Sequence, residues 1–215
     1  MEEAMEVAYH HFPSGKNYTY IMEESGPVFI RNIVFLTKDT DPKTVAIVHE
    51  WGKGPNRWEP PKGQMEWKEF NNLQLEPHTK LTIKQLQKQM KRGITREMIE
   101  ESYILPHEIK EFKILPIVYK QDWPESGIPS AKFMYQYWTA KITEKTLLEG
   151  KRRIHLICDN PELKIILPPD VTEKDDIKWW NPEVDGWSCI RNGFSQKMTR
   201  LYFNYLNKYG VFKDT

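Results

Sequence analysis

Two stretches decide the fold: WEPPKGQMEWKEF at residues 58–70 and TREMIEESYI at residues 95–104. In the second stretch, Glu97, Glu100 and Glu101 follow one another at spacings of three residues and one residue. An α-helix completes a turn in 3.6 residues, so all three carboxylates project from one side of a helix. Like charges this close repel one another by about 4 kcal/mol per pair at a protein surface. Hard divalent cations bind carboxylate oxygens, so the pattern indicates either a helix that holds a metal ion or a solvated acidic face.

The first stretch places a constrained loop ahead of that helix. Its two prolines favour an extended backbone, and Gly63 lets the chain turn tightly or approach a ligand closely. Glu69 follows Gly63 after five intervening residues. Arg96 lies four residues before Glu100, which is the spacing of an ion pair on one helix face. Arg96 is therefore placed to orient one carboxylate while the others face a metal.

Gly63, Glu69 and the run from Arg96 to Glu101 together resemble the Nudix box, the signature of hydrolases that act on nucleoside-diphosphate-linked substrates. The preceding WEPPKG is similar to the motif that leads into the box in mRNA-decapping enzymes and in dinucleoside-polyphosphate or diphosphoinositol hydrolases. Two features depart from the family pattern. Residues 70–95 take the place of a short spacer, which indicates an insertion, and Tyr103 replaces a closing glycine in the last turn of the helix.

This resemblance implies an α/β (α+β) fold, namely a Nudix-like α/β/α sandwich with a mixed sheet and an inserted helical segment within the box. It also implies Mg2+ or Mn2+ as the cofactor. The implied metal ligands are the Gly63 carbonyl and the carboxylates of Glu97, Glu100 and Glu101. An ion pair between Arg96 and Glu69 would orient these ligands.

Further residues bear on the base and the substrate. The family often takes a general base from the box or from the loop before its last helix, and Glu183 and Asp185 occupy that loop here. The predicted catalytic residues are Glu97, Glu100, Glu101 and Glu183. Lys62 is the predicted phosphate contact. Base–aromatic stacking contributes about 1–3 kcal/mol per base, and the predicted stacking residues are Trp58, Trp179 and Trp180. For each tryptophan, packing in the core is the alternative.

Composition narrows the class of protein. A chain of 215 residues buries a sizeable core, and we predict one domain over residues 1–215 with an insertion at 70–95 and an elaborated segment at 144–176. The net charge of +1 creates no bulk attraction to nucleic acid. Cys158 and Cys189 are too few for a disulfide framework. No apolar run approaches membrane-spanning length and the N-terminus does not resemble a signal peptide. We therefore expect a soluble protein of the cytoplasm or nucleus, in a reducing compartment, with its oligomeric state open.

Periodicity predicts the helix of the box. From Thr82, a predicted N-cap, apolar residues recur at spacings of three and four as far as Met98. This stripe predicts a helix over about residues 82–104, with Gly93 as a candidate break. Residues 70–81 are predicted to be loop. The predicted helix is also basic, through Lys80, Lys84, Lys88, Lys91 and Arg92. These side chains either form a solvated face or contact the phosphates of capped RNA beside the metal site.

Outside the box, alternation and turn residues predict a series of strands after a loose lead-in over residues 1–16. The predicted strands cover residues 18–23, 28–36, 44–50, 109–119, 132–142 and 177–180. In the segment 144–176, a helical turn at 146–149 and short strands at 154–158 and 163–167 are predicted. A final amphipathic helix is predicted to run from about Met198 to Tyr209 and to end at Gly210.

Three functions remain open on this basis. The first is a metal-dependent hydrolase of the mRNA 5′ cap that releases m7GDP, which the WEPPKG motif, the basic helix and the tryptophan-rich C-terminal region favour. The second is a diadenosine-polyphosphate or diphosphoinositol-polyphosphate hydrolase, which shares the leading motif. The third is a catalytically silent module that binds RNA or a protein. The complete set of carboxylates argues against the third.

Overall fold

The structure is a computed structural model that describes residues 4–209. These residues form two compact units, each assembled from separate parts of the chain. The first unit contains residues 4–33, 62–96 and 118–136, and the second contains residues 34–61, 97–117 and 137–209. The prediction of one domain over residues 1–215 stays a prediction.

The described chain combines a sheet, whose strands β1 to β4 follow one another directly, with α-helices that come later in the chain, which confirms the predicted α+β class. The strands are β1 (Ala4–His11), β2 (Asn17–Glu23), β3 (Gly26–Lys38), β4 (Asp41–Glu50), β5 (Trp58–Glu59), β6 (Lys62–Gln64), β7 (Thr79–Thr82), β8 (Lys110–Asp122), β9 (Lys132–Ile142) and β10 (Lys174–Trp180). The α-helices are α1 (Ile83–Ser102), α2 (Glu144–Cys158), α3 (Pro161–Ile166), α4 (Pro182–Asp185) and α5 (Phe194–Tyr209). Short 3-10 helices cover Trp67–Leu73, Pro106–Glu108, Pro124–Ser126 and Pro169–Thr172. The predicted end of α5 at Gly210 lies outside the described residues.

In the first unit, β1 pairs antiparallel with β2 on one side and with β7 on the other. The predicted loose lead-in over residues 1–16 is therefore wrong over residues 4–11. Val7 and Ala8 are buried, whereas Glu6 lies within hydrogen-bond distance of His78 beyond β7. The apolar centre of β1 is short, with Glu6 before it and His10 and His11 near its end, so the sequence lacks the regular alternation that marks a strand.

The insertion 70–95 contributes regular structure to the first unit. It supplies β7 and the first three turns of α1, so the predicted loop over residues 70–81 is wrong at its C-terminal end. The backbone N–H of Gln85 donates to Thr82 Oγ1, and the backbone N–H of Thr82 donates to Gln85 Oε1. This reciprocal cap confirms Thr82 as the start of the helix. Helix α1 continues through Gly93 without a break.

In the second unit, β4 pairs antiparallel with the end of β3 and with β10. Its Val45–Val48 run is fully buried, as expected for a strand covered on both faces. Helix α5 packs into the core through Met198 and Tyr202. The ring of Tyr202 stacks on Phe35 with the ring centroids 3.8 Å apart.

The structure corrects the predicted strands at 154–158 and 163–167, which lie in α2 and α3. Thr143 caps α2 by accepting a hydrogen bond from the backbone N–H of Thr146. Leu147, Gly150 and Ile154 then recur at spacings of three and four on its buried face. This helical period joins the predicted turn at 146–149 to residues 154–158, which were predicted to be a separate strand.

No helix among residues 4–209 is long and apolar enough to cross a membrane. The two cysteines, Cys158 and Cys189, are free thiols.

Two helical glycines predict opposite effects of substitution by alanine. A Cβ on Gly93 would lie 3.6 Å from Glu69 Cγ, which is ordinary contact. Gly93→Ala should therefore raise the free energy of unfolding by about 1 kcal/mol, the difference in helix propensity. Urea denaturation followed by circular dichroism measures this change.

Gly150→Ala is the matched comparison. A Cβ on Gly150 would lie 2.8 Å from the carbonyl oxygen of Ser102 and 3.1 Å from Ile104 Cγ1. The backbone must shift to accommodate it, so the free energy of unfolding should fall by about 1–3 kcal/mol. Equal shifts of the same sign in both variants would contradict this close packing around Gly150.

Candidate active site

The loop and the helix of the box meet at an ion pair in the first unit. Arg96 Nε donates to Glu69 Oε1 at 2.8 Å, and Arg96 Nη2 donates to the carbonyl oxygen of Gln64 at 3.3 Å. Arg96 Nη2 also lies 3.5 Å from Glu66 Oε1. Glu69 and Arg96 are therefore in contact, although residues 70–95 lie between them in the sequence.

The side chain of Glu69 is buried. It is 6% exposed, and its Oε2 atom is buried without a hydrogen-bond partner. Burial raises the pKa of the Glu69 carboxyl, although the Arg96 guanidinium opposes that shift. The cationic partner thus favours the ionised form that the surrounding packing disfavours.

Gly63 lies in β6, which pairs antiparallel with β3 through Gly63 and Asn32 and through Lys62 and Ile33. The backbone N–H of Met65 donates to the carbonyl oxygen of Ile30, which extends this attachment. The segment that follows the two prolines is therefore an ordered strand of the first unit. Lys62 is half-buried there. The roles predicted for Gly63 and Lys62 stay predictions.

The acidic end of α1 belongs to the second unit. Glu97 and Glu100 are half-buried, whereas Glu101 is only 5% exposed. Glu101 Oε1 lies 2.9 Å from the ammonium nitrogen of Lys174, the first residue of β10. The carboxylate of Glu101 is therefore already matched by a cation from a distant part of the chain.

Lys174 also reaches a second buried carboxylate. Its Nζ atom donates to Glu59 Oε1 at 3.3 Å, and Ser195 Oγ donates to Glu59 Oε2 at 2.8 Å. Arg191 Nη1 lies 3.8 Å from the same Glu59 oxygen. Burial alone would lower the pKa of Lys174, but the carboxylates of Glu101 and Glu59 raise it above its ordinary value. Lys174 is therefore charged inside the protein.

Sequence reasoning missed Glu59 and Lys174. Glu59 lies between Trp58 and Pro60 in the motif that leads into the box, which was its available signal. Lys174 follows Glu173 and precedes two aspartates, so it resembles one charge in a solvated acidic loop. The register of β10 against β4 shifts between Lys174 and Asp176. A shift of this kind re-aims side chains, and no periodicity in the sequence marks it.

Tyr103 occupies the position of the family's closing glycine in the backbone conformation that glycine favours. Its φ of 55° is left-handed, and its backbone N–H donates to the carbonyl oxygen of Ile99 at 3.0 Å, which closes the helix. The hydroxyl of Tyr103 donates to the carbonyl oxygen of Val171. Tyrosine adopts this φ less readily than glycine does, but its side chain forms a hydrogen bond with Val171 that glycine could not form.

The three predicted stacking tryptophans have different environments in the second unit. Trp58 is half-buried, with Lys178 Nζ 4.2 Å from the centre of its ring. Trp179 is half-buried, and its Nε1 donates to Glu144 Oε2 at 2.8 Å. Trp180 is fully buried. The structure therefore corrects the prediction for Trp180, whose ring is enclosed by the core and has no face for a base.

Glu183, the predicted general base, lies in α4 as an exposed side chain and pairs with Lys43 Nζ at 2.6 Å. Its neighbour Asp185 accepts a hydrogen bond from the backbone N–H of Asn181. The catalytic role of Glu183 stays a prediction.

The basic residues of the insertion form an exposed stripe in the first unit. Lys84, Lys88 and Lys91 recur along α1 at spacings of four and three, and Arg92 and Lys80 flank them. All five are exposed. A stripe of this kind carries the positive charge that a polyanion requires.

The donor chemistry at the end of α1 fits Mg2+ or Mn2+, because carboxylates at helical spacing supply hard oxygen ligands. Within residues 4–209, however, no three His, Cys, Asp or Glu side chains converge into a group that could hold a metal. Glu101 is oriented toward Lys174. The ligand set Glu97, Glu100 and Glu101 therefore stays a prediction.

Comparisons with sequence-family models and with curated proteins find no match to this chain. Solved structures do align with it. The NUDIX domain of Shewanella oneidensis NrtR complexed with ADP ribose aligns over 83% of this chain and 88% of that chain, with 11% identity and a TM-score of 0.46. An Ap4A hydrolase from C. elegans aligns over 85% and 100%, with 15% identity and a TM-score of 0.43.

A NUDIX hydrolase from Nitrosomonas europaea aligns over 87% of this chain and 99% of that chain, with 12% identity and a TM-score of 0.38. Two of these proteins are named for the NUDIX family, whose signature the sequence motif resembles, and the third is named for Ap4A hydrolysis. Because these TM-scores lie below 0.5, these alignments carry no argument about this chain, and its resemblance to the family rests on its own sequence motif.

The burial of the Tyr103 side chain predicts that the stability of the protein depends on pH. Burial raises the pKa of Tyr103 to about 12 from an ordinary value near 10. Between these values the unfolded chain loses the phenolic proton and the folded protein keeps it, so the contribution of this group to stability falls as pH rises. Tyr103→Phe should lose about 1 kcal/mol at pH 8. Its stability should then fall less than that of the wild type between pH 9 and 11, as measured by urea denaturation. Parallel pH profiles would contradict this environment for Tyr103.

Proposed function

We propose that this chain is a Nudix hydrolase that cleaves a pyrophosphate bond in a nucleoside-diphosphate-linked substrate, and that this substrate is the mRNA 5′ cap, with release of m7GDP. The observation that carries the proposal is the 2.8 Å ion pair between Arg96 and Glu69. It joins the two halves of the box across residues 70–95, which form the main departure of this chain from the family pattern. This pair supports the proposal because Glu69 and Arg96 lie side by side although residues 70–95 separate them in the sequence.

The chemistry assigns separate tasks to the residues of the box. A divalent ion, when bound, supplies a water of lowered pKa and neutralises the phosphoryl oxygens. Glu97, Glu100 and Glu101 are the carboxylates that would hold it, with the Gly63 carbonyl as the predicted further oxygen. The pair of Arg96 with Glu69 anchors the turn of α1 immediately before Glu97, so the start of the acidic run is fixed.

Three features support capped RNA as the substrate. The WEPPKG motif is similar to that of decapping enzymes. The exposed stripe of Lys84, Lys88 and Lys91 supplies charge for an RNA backbone. Trp58 and Trp179 each retain an exposed portion for stacking. A methylated guanine is cationic and gains cation–π attraction over such a ring.

A decapping assay tests the reaction and the carboxylates together. The wild type with Mn2+ should release m7GDP from cap-labelled RNA, and Glu100→Gln should reduce the rate by about 100-fold or more, the order expected when one charge-stabilising group is removed. Glu125→Gln, at an exposed position in a 3-10 helix, is the matched control and should leave the rate unchanged. Thin-layer chromatography or mass spectrometry identifies the product.

The substrate panel of this assay separates the three functions. Hydrolysis of diadenosine or diphosphoinositol polyphosphates without release of m7GDP would replace the cap as the substrate. No turnover on any of these compounds, together with RNA binding, would indicate the silent module. Equal rates for Glu100→Gln and the wild type would remove Glu100 from the metal site.

The basic stripe predicts a dependence on RNA length. A triple variant in which Lys84, Lys88 and Lys91 are all replaced by glutamine should bind long capped RNA more weakly than the wild type. The slope of log affinity against log salt should fall by about 0.7 for each phosphate that the stripe no longer neutralises. Hydrolysis of a cap dinucleotide should not change, because it has no RNA chain to reach the stripe.

A control of equal charge removes three other exposed lysines, Lys53, Lys110 and Lys145. If this control lowers RNA affinity as much as the stripe variant does, the effect reflects net charge and the stripe is only a solvated face.

A further inference from the structure

Lys174 is enclosed with two carboxylates inside the second unit. Lys174 is 4% exposed, Glu59 is 1% exposed and Glu101 is 5% exposed. The ammonium nitrogen lies 2.9 Å from Glu101 Oε1 and 3.3 Å from Glu59 Oε1. A buried charge requires a matched partner, so these three side chains act as one electrostatic group.

The two carboxylates lie at different distances from Lys174. Glu59 also accepts a hydrogen bond from Ser195 Oγ at 2.8 Å and has Arg191 within 3.8 Å. Glu101 lies closer to the ammonium than Glu59 does, at 2.9 Å. Removal of the ammonium therefore leaves Glu59 with a donor and a second cation nearby, whereas Glu101 loses the shorter of the two ion pairs.

An ammonium and a divalent cation make the same demand on a carboxylate. Lysine is a compact point charge that binds oxygen lone pairs through its N–H donors, and Mg2+ or Mn2+ binds those same lone pairs. The oxygen of Glu101 that contacts Lys174 is thus engaged by one cation before any metal arrives.

We propose that Lys174 is the resident cation of Glu101, a positioning residue that competes with divalent metal for this carboxylate and so sets the metal affinity at the end of α1. The proposal rests on the proposed function in one respect, because it takes Glu101 as a candidate metal ligand. It accounts for a buried lysine among carboxylates, which the motif does not require.

Two double variants of equal charge test the competition. In the wild type, one ammonium and two carboxylates sum to −1. Lys174→Met with Glu59→Gln leaves one carboxylate, Glu101, and a sum of −1. Lys174→Met with Glu101→Gln leaves one carboxylate, Glu59, and the same sum of −1. The variants differ only in which carboxylate survives without the ammonium.

Electron paramagnetic resonance of free Mn2+ measures binding without any substrate. The variant that retains Glu101 should bind Mn2+ at least tenfold more tightly than the wild type. The variant that retains Glu59 should bind no more tightly than the wild type. If Lys174 has a purely structural role, the variant that retains Glu101 should bind Mn2+ no more tightly than the wild type. Equal Mn2+ affinities in the wild type and the variant that retains Glu101, or equal gains in both variants, would overturn the proposal.

Circular dichroism establishes that each variant is folded. If methionine prevents folding, Lys174→Gln in the same two backgrounds replaces it, with the same expected difference and the same contradicting result. Cap hydrolysis by the wild type is measured in parallel. Hydrolysis without the difference in Mn2+ affinity removes this inference alone, and the difference in affinity without hydrolysis of any pyrophosphate removes the proposed function alone.

Discussion

Burial of carboxylates is the constraint on which this structure depends. Glu59, Glu69 and Glu101 are each no more than 6% exposed. A buried ion costs several kcal/mol unless a partner of opposite charge offsets it. In the first unit the partner of Glu69 is Arg96, and in the second unit Glu59 and Glu101 share Lys174. Each cation comes from a distant part of the chain, so formation of the pairs requires particular segments to come together.

Residues of the candidate active site therefore also form ion pairs that connect distant segments of the folded chain. The ion pair of Arg96 closes the insertion, because it holds Arg96 beside the loop that carries Glu69. The ammonium of Lys174 holds one of the three predicted ligands inside the protein. A site that must bind a divalent cation has an excess of negative charge by its nature. The ammonium of Lys174 lessens the repulsion between the buried carboxylates of Glu59 and Glu101.

Local signals were sufficient where one element decides its own form. The stripe of α1 and the cap at Thr82 predicted a long helix, and the structure has it from Ile83 to Ser102. Local signals failed where a neighbour supplies the reason for the structure. Strand β1 is stabilised by β2 and β7 on its two sides, and neither pairing can be seen from residues 4–11 alone. Trp180 and Trp179 are adjacent and have similar composition around them, yet only Trp180 is enclosed by the core.

The sequence by itself determined the α+β class, the helix of the box and the three carboxylates that this helix carries at spacings of three residues and one residue. The helix and its carboxylates follow from the period of a helix and from the chemistry of side chains, both of which are local, whereas the α+β class is what the resemblance to the Nudix box implied. Only the tertiary structure decided that residues 70–95 leave Glu69 beside Arg96, and that Lys174 lies between Glu59 and Glu101. Electrostatic pairing acts through space, and a register shift in β10 redirects a side chain without leaving any mark on the order of the residues.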